Sequence, residues 1–156
     1  MCNTEQGFSL PELIAVIAII AILGVSAMAK WSGSSINLAA QADKVASDIR
    51  YIQGFSTSHG QRYRINFSAT RYGFTNLAGT TPLAHPVTNA AEVELEQGTS
   101  LASTVSFIAF SGVGAPYVTA TLPGTALTTD AIITLTADGK TRTVRVSPET
   151  GRVLMQ

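Results

Sequence analysis

The chain has 156 residues, with Lys plus Arg and Asp plus Glu both counting 10, only 13% charged residues and 46% hydrophobic ones. That length suffices for one domain with a real core. A net charge of zero leaves no global basic field to recruit nucleic acid or an acidic membrane surface, and the single cysteine, Cys2, excludes an internal disulfide and a thiolate zinc cluster.

In chain order, residues 1–7 (Met-Cys-Asn-Thr-Glu-Gln-Gly) are short and polar. From Phe8 the chain turns apolar and stays so to Ala29, with Glu12 as the one charge, and the stretch ends at Lys30-Trp31. About twenty helical residues at ~1.5 Å each match a bilayer core of ~30 Å. Trp31 suits the membrane interface beside a snorkelling Lys30. A secretory signal would have a positive start, a shorter apolar part and a small-residue cleavage site after it. Here the start has no Lys or Arg. A plain anchor explains the length of the apolar part but not Glu12. A carboxylate there costs roughly 2.5–3.5 kcal/mol on insertion scales and marks a partner or a function.

Gly7-Phe8-Ser9-Leu10-Pro11-Glu12-Leu13, followed by Ile14-Ala15-Val16-Ile17-Ala18-Ile19-Ile20-Ala21-Ile22-Leu23, resembles the class III signal of type IV pilins and type II secretion pseudopilins. The resemblance implies that a prepilin peptidase cuts between Gly7 and Phe8 and methylates the new Phe8 amine. It also implies that Glu12 is the acid at the fifth mature position. Each part has a chemical reason. Gly7 lets a peptidase approach the backbone closely. The Phe8 amine is a cation in lipid, and Glu12 of a neighbouring subunit can pair with it in low dielectric. Pro11 falls in the first helical turn, where a missing N–H costs little. The leader departs from the family's pattern, because it carries Glu5 and lacks the Lys or Arg that such leaders commonly hold.

Beyond Trp31, Ser32-Gly33-Ser34-Ser35 reads as a bend. Leu38, Ala42, Val45, Ile49 and Ile52 then recur at three- and four-residue steps, one apolar helix face, with Gln41, Lys44, Ser47, Asp48 and Tyr51 mostly away from it. One long helix is expected from about Pro11 to Phe55, ended by residues 54–60. Short strands follow: 62–67 pairing with 71–75, then 93–96, 105–110 and 117–121, with 76–91 as a loop. The plainest hairpin joins 131–136 to 141–146 through Asp138-Gly139, since such a turn needs positive φ. Residues 148–151 make a turn before a last strand at 152–155. The fold class is α+β, a long N-terminal helix packed on a mostly antiparallel β-sheet head. The domain reading is a leader, 1–7, a membrane or filament-core helix half, 8–31, and a head with the amphipathic helix half, 32–156. Residues 45–50 (Val-Ala-Ser-Asp-Ile-Arg) and 146–153 (Val-Ser-Pro-Glu-Thr-Gly-Arg-Val) are similar to the GspH and FimT type of minor pseudopilin and minor pilin, and to MSHA-type minor pilins. Many major pilins of the family close a C-terminal loop with a disulfide, and here the chain after Gly7 has no cysteine.

The residues nominate no enzyme, cofactor or metal site. Asp138-Gly139-Lys140-Thr141 ends like a phosphate-binding loop, but the first glycine of that motif would fall at Thr134. Residues 111–116 read as a glycine-rich surface loop. His59 and His85 read as two solvated loop residues. Glu92, Glu94 and Glu96 share one strand face by period two, a solvated edge that discourages aggregation. Arg62, Arg64 and Arg71 with Tyr63 and Tyr72 form the one basic-aromatic cluster, the candidate nucleic-acid contact. The three glutamates offset it, and nucleic acid is not the expected partner. The expected partners are a prepilin peptidase, other pilins or pseudopilins in a filament, and lipid of the bacterial inner membrane, with the head in the periplasm. The leading function is a structural minor subunit of a type II secretion pseudopilus or type IV pilus that primes or caps assembly. The alternative is a pilus-displayed binding module for DNA or surfaces.

Overall fold

The computed structural model describes residues 10–30 and 34–156, and for residues 22–30 and 34–36 it describes the backbone only. These residues fall into two units that divide between Lys30 and Ser34. The first is one helix, α1 (Leu10–Lys30). Along Leu10–Ala21 every side chain is exposed, including Leu13, Ile14, Ile17 and Ile20, all more than half so.

The second unit begins with α2 (Ser34–His59). The periodic residues are its buried face: Leu38, Ala42, Val45, Ile49 and Ile52 are 0–1% exposed. Burying each large aliphatic there contributes about 1.5–3 kcal/mol. Helix α2 runs through residues 54–59 rather than ending at Phe55. Termination falls to Gly60, whose φ of 63° gives the left-handed cap that a helix end favours. The expected bend at residues 32–35 lies partly outside the described residues, and Ser34 and Ser35 are helical.

Two antiparallel sheets cover this face. β1 (Tyr63–Phe67) and β2 (Arg71–Asn76) form a hairpin, with Ile65 opposite Phe74. β3 (Pro82–Leu83) and β4 (Glu92–Glu94) both pair with β2. β5 (Thr99–Ser103) belongs to the second sheet. β6 (Phe107–Phe110) and β7 (Pro116–Tyr117) complete the first, in the order β3-β2-β1-β6-β7 with β4 also on β2. β8 (Ala131–Ala137), β9 (Lys140–Val146) and β10 (Val153–Met155) give the second sheet the order β10-β9-β8-β5. Ala137 pairs with Lys140, so Asp138 and Gly139 are a two-residue turn, with φ of 50° and 72°. The core is shared by α2 and both sheets: Ile65, Phe74, Ile108 and Phe110 from one, Ile133, Leu135, Val144 and Val146 from the other.

The strand reading needs correction at five places. β3 lies inside the expected loop at 76–91, and its Pro82 suits a sheet edge. β5 was not legible as a strand, because Thr-Ser-Leu-Ala-Ser offers one large apolar residue to a strand at the edge of its sheet. The expected strand at 117–121 shrinks to Pro116–Tyr117, since residues 118–125 fold back with Val118 N donating to Thr125 O at 3.0 Å. The expected strand at 93–96 shifts to Glu92–Glu94, and the one at 105–110 is trimmed to Phe107–Phe110.

Candidate functional site

Among the processing residues, Gly7 and Phe8 lie outside the described residues, and Glu12 stands exposed in the first turn of α1. A carboxylate there complements the positive end of the helix dipole. No helix is long and apolar enough to cross a membrane among the described residues, which for α1 side chains end at Ala21. As backbone, α1 continues to Lys30, 21 residues in all. That is about 30 Å of helix.

The arginines and the tyrosines of the basic-aromatic cluster lie on opposite faces of the first sheet. Strand alternation puts Arg62, Arg64 and Arg71 on the outer face of the first sheet, whereas Tyr63 and Tyr72 point to the side of α2. Each arginine is engaged locally. Arg62 lies 3.7 Å over the Tyr117 ring and donates to Pro123 O at 2.6 Å. Arg64 lies 4.4 Å over Phe107 and donates from Nε to Thr75 Oγ1 at 3.2 Å. Arg71 pairs with Glu92 at 2.8 Å, both half-exposed. Glu92, Glu94 and Glu96 are exposed as expected, and among the described residues no group of three or more His, Cys, Asp or Glu could hold a metal ion.

The histidines also depart from the sequence reading. His59 is exposed in the last turn of α2, stacked 4.0 Å from Phe55, rather than in a loop. His85 is buried at 3% exposure. Its ring stacks on Phe74, and Nε2 lies 3.0 Å from Asp48 Oδ2. Tyr72 donates to the same oxygen at 2.5 Å. Asp48 is therefore inside, 7% exposed, and not on the wet side of α2. Burial first, then the hydrogen bond to Asp48 and its charge, push the Tyr72 phenol well above its ordinary value. Gln41, also expected outside, is buried too, donating to Thr99 Oγ1 at 3.0 Å and accepting from the Glu96 amide at 3.1 Å. One signal for Asp48 was available: it lies three residues after Val45 and four before Ile52, on the flank of the apolar stripe.

Asp48, His85 and Tyr72 form a satisfied polar cluster in the core, with no nucleophile beside the ring. A cleft of about 530 Å³, lined by Gly60, Gln61, Arg62, Tyr63, Asn76 and Leu122 among others, likewise brings no nucleophile and base together.

Residues 2–28 match the prokaryotic N-terminal methylation motif. The fold resembles the type IV minor pilin FimU of Pseudomonas aeruginosa, with a TM-score of 0.56 and 15% identity over 76% of this chain and 87% of that one. It also resembles the minor pseudopilin EpsH from the type 2 secretion system of Vibrio cholerae, with a TM-score of 0.57 and 13% identity over 77% of this chain and 96% of that one. The fold is pilin-like. No curated protein sequence matches it. At these identities the likeness to solved structures establishes the pilin-like fold, a helix followed by antiparallel sheets. The methylation motif supplies the second, independent sign at the other end of the chain. Neither solved relative is named as an enzyme. The residues that carry the motif and the residues that carry the fold are almost separate sets, since the motif ends at residue 28 and α2 begins at Ser34.

Proposed function

We propose that the chain is a structural minor subunit of a type II secretion pseudopilus or a type IV pilus. It is made as a single-pass precursor in the bacterial inner membrane with its head in the periplasm. Residues 1–7 are the leader, residues 8–31 the membrane and filament-core segment, and residues 32–156 the head. A prepilin peptidase cuts between Gly7 and Phe8 and methylates the Phe8 amine. The processed helix leaves the lipid for the filament, where Glu12 of one subunit meets the Phe8 amine of another. Its role in assembly is to prime or cap.

One observation supports this reading: the methylation motif on residues 2–28 heads the same chain whose remainder has a fold like that of a minor pilin and a minor pseudopilin. The absence of cysteine after Gly7 supports a minor rather than a major subunit. The chemistry of Glu12 supports polymerisation over simple anchoring, since a lone carboxylate in an apolar helix needs a partner. The test is co-expression with a prepilin peptidase and mass spectrometry of the product. The expected chain begins at methylated Phe8. An intact leader, or a cut after Ala27 or Ala29, would remove the proposal.

A further inference from the structure

The segment after β3 closes on a single imidazole. His85 Nε2 faces both oxygens of Asp48, at 3.1 and 3.0 Å. Its other nitrogen, Nδ1, accepts from the backbone amides of Val87 and Thr88, each at 3.2 Å. A ring nitrogen that accepts carries no proton, so this arrangement requires the neutral imidazole with its hydrogen on Nε2, donated to Asp48. Pro86 has no N–H, which leaves the next two amides to converge on the ring. The turn is completed by His85 N donating to Ala90 O and Asn89 N donating to His85 O, both at 2.9 Å, with Asn89 at a φ of 54°.

We propose that residues 84–91 form an acid-released latch, in which protonation of His85 at Nδ1 opens the turn while Nε2 keeps its hold on Asp48. A proton on Nδ1 would aim an N–H at two other N–H groups. Both bonds must break before that proton finds an acceptor. The titratable groups facing the ring are Asp48 from α2 and, through the same carboxylate, Tyr72 from β2. Phe74, also from β2, stacks on it and carries no charge. The Asp48 carboxylate pairs with an imidazolium as well as with an imidazole, so the anchor does not oppose the opening. The closed turn binds one proton fewer than the open turn. The ratio of open to closed therefore rises roughly tenfold per pH unit wherever only the open form is protonated. Residues 84–91 join β3 and β4, which both cover the edge of β2 with only two and three residues. Unlatching loosens that cover, and an uncovered strand edge can pair with another chain.

The test uses the full chain, 15N-labelled, in detergent micelles, from about pH 8 to about pH 5, the range in which histidine changes charge. The exposed His59 serves as the reference ring. At neutral pH His85 is expected to show a protonated Nε2 and a bare Nδ1. On acidification, exchange of the Val87 and Thr88 amides, corrected for the intrinsic rate, should rise tenfold or more while the amides of Ile49 and Ile65 stay protected. In His85→Gln those two amides should exchange fast at every pH. If that variant does not fold, the wild-type measurement decides alone. A proton on Nδ1 at neutral pH, a ring that charges without loss of protection at Val87 and Thr88, or a ring that stays neutral throughout would each overturn the latch.

Discussion

Gln53 Nε2 occupies space that a β-carbon on Gly151 would need, 2.6 Å from that position. The same nitrogen donates to the carbonyls of Gly114 and Thr150, each at 2.9 Å, so one side chain of α2 holds both the 111–115 turn and the turn before β10. Gln53→Ala should cost about 1–2 kcal/mol, the net worth of two hydrogen bonds to carbonyls. Gly151→Ala should cost more, upward of about 2 kcal/mol, since a side chain there is strained at positive φ as well as crowded. Gly151 has a φ of 65°, and its β-carbon would also stand 2.9 Å from Gly114 O and Phe110 Cε1. Urea unfolding ranks the two variants, and the reverse order would show that the clip matters more than the glycine.

A fragment of residues 32–156 should be soluble and unfold in one cooperative transition. Among the described side chains its core draws on α2 and both sheets. Circular dichroism during thermal unfolding should show helix and sheet lost together. An aggregated or disordered product would show that the head depends on residues before 32.

Two substitutions on α2 should differ in sign. Ile49 is fully buried, so Ile49→Asp places an unpaired carboxylate in the core and should prevent folding of the head. Gly54→Ala should stabilise by about 0.5–1 kcal/mol, because Ala is the better helix former. Gly54 faces open space, so the added methyl meets nothing. Denaturant midpoints of the two variants test both signs.

The raised Tyr72 phenol predicts an alkaline limit. Its folded value lies above the ordinary 10.0, so the neutral phenol is the form that the fold favours. The contribution is fully present below about pH 10 and is lost as pH rises from there toward the folded value. Tyr72→Phe should cost about 1.5–3 kcal/mol at neutral pH, as expected for a hydrogen bond to a charged group. It should also flatten the decline above about pH 10. Equal alkaline slopes for wild type and variant would assign the decline to other groups.

Glu12→Ala and Glu12→Gln should leave membrane insertion and cleavage intact but reduce recovery in sheared filaments, with Gln no better than Ala despite its size. In the proposed pairing, the neutral amide would not supply the charge that a neighbour's Phe8 amine needs. The comparison is processed protein in membranes against protein in filaments. Normal incorporation of both variants would defeat the pairing mechanism. Normal incorporation of Glu12→Ala in this chain, with a block when an abundant partner carries the same change, would place this subunit at the tip, where no subunit lies ahead.

What the amino-acid sequence determined by itself was carried by near neighbours. The apolar residues at three- and four-residue steps named the buried face of α2, and Asp138-Gly139 named the hairpin, because helix periodicity and turn conformation are set within a few residues. The methylation motif on residues 2–28 is equally local, since it is one contiguous segment. The tertiary structure alone decided the rest. Asp48 and His85 are 37 residues apart in the chain and meet in the core. A charge on the flank of a helix stripe is wet or buried according to what packs over it, and that was decided by a turn expected to be solvated. β5 became a strand through its partner β8, whose backbone pairing needs no apolar pattern of its own. The arginines and tyrosines of the first sheet were parted by alternation across the two faces, and which face would be covered depended on where α2 came to lie.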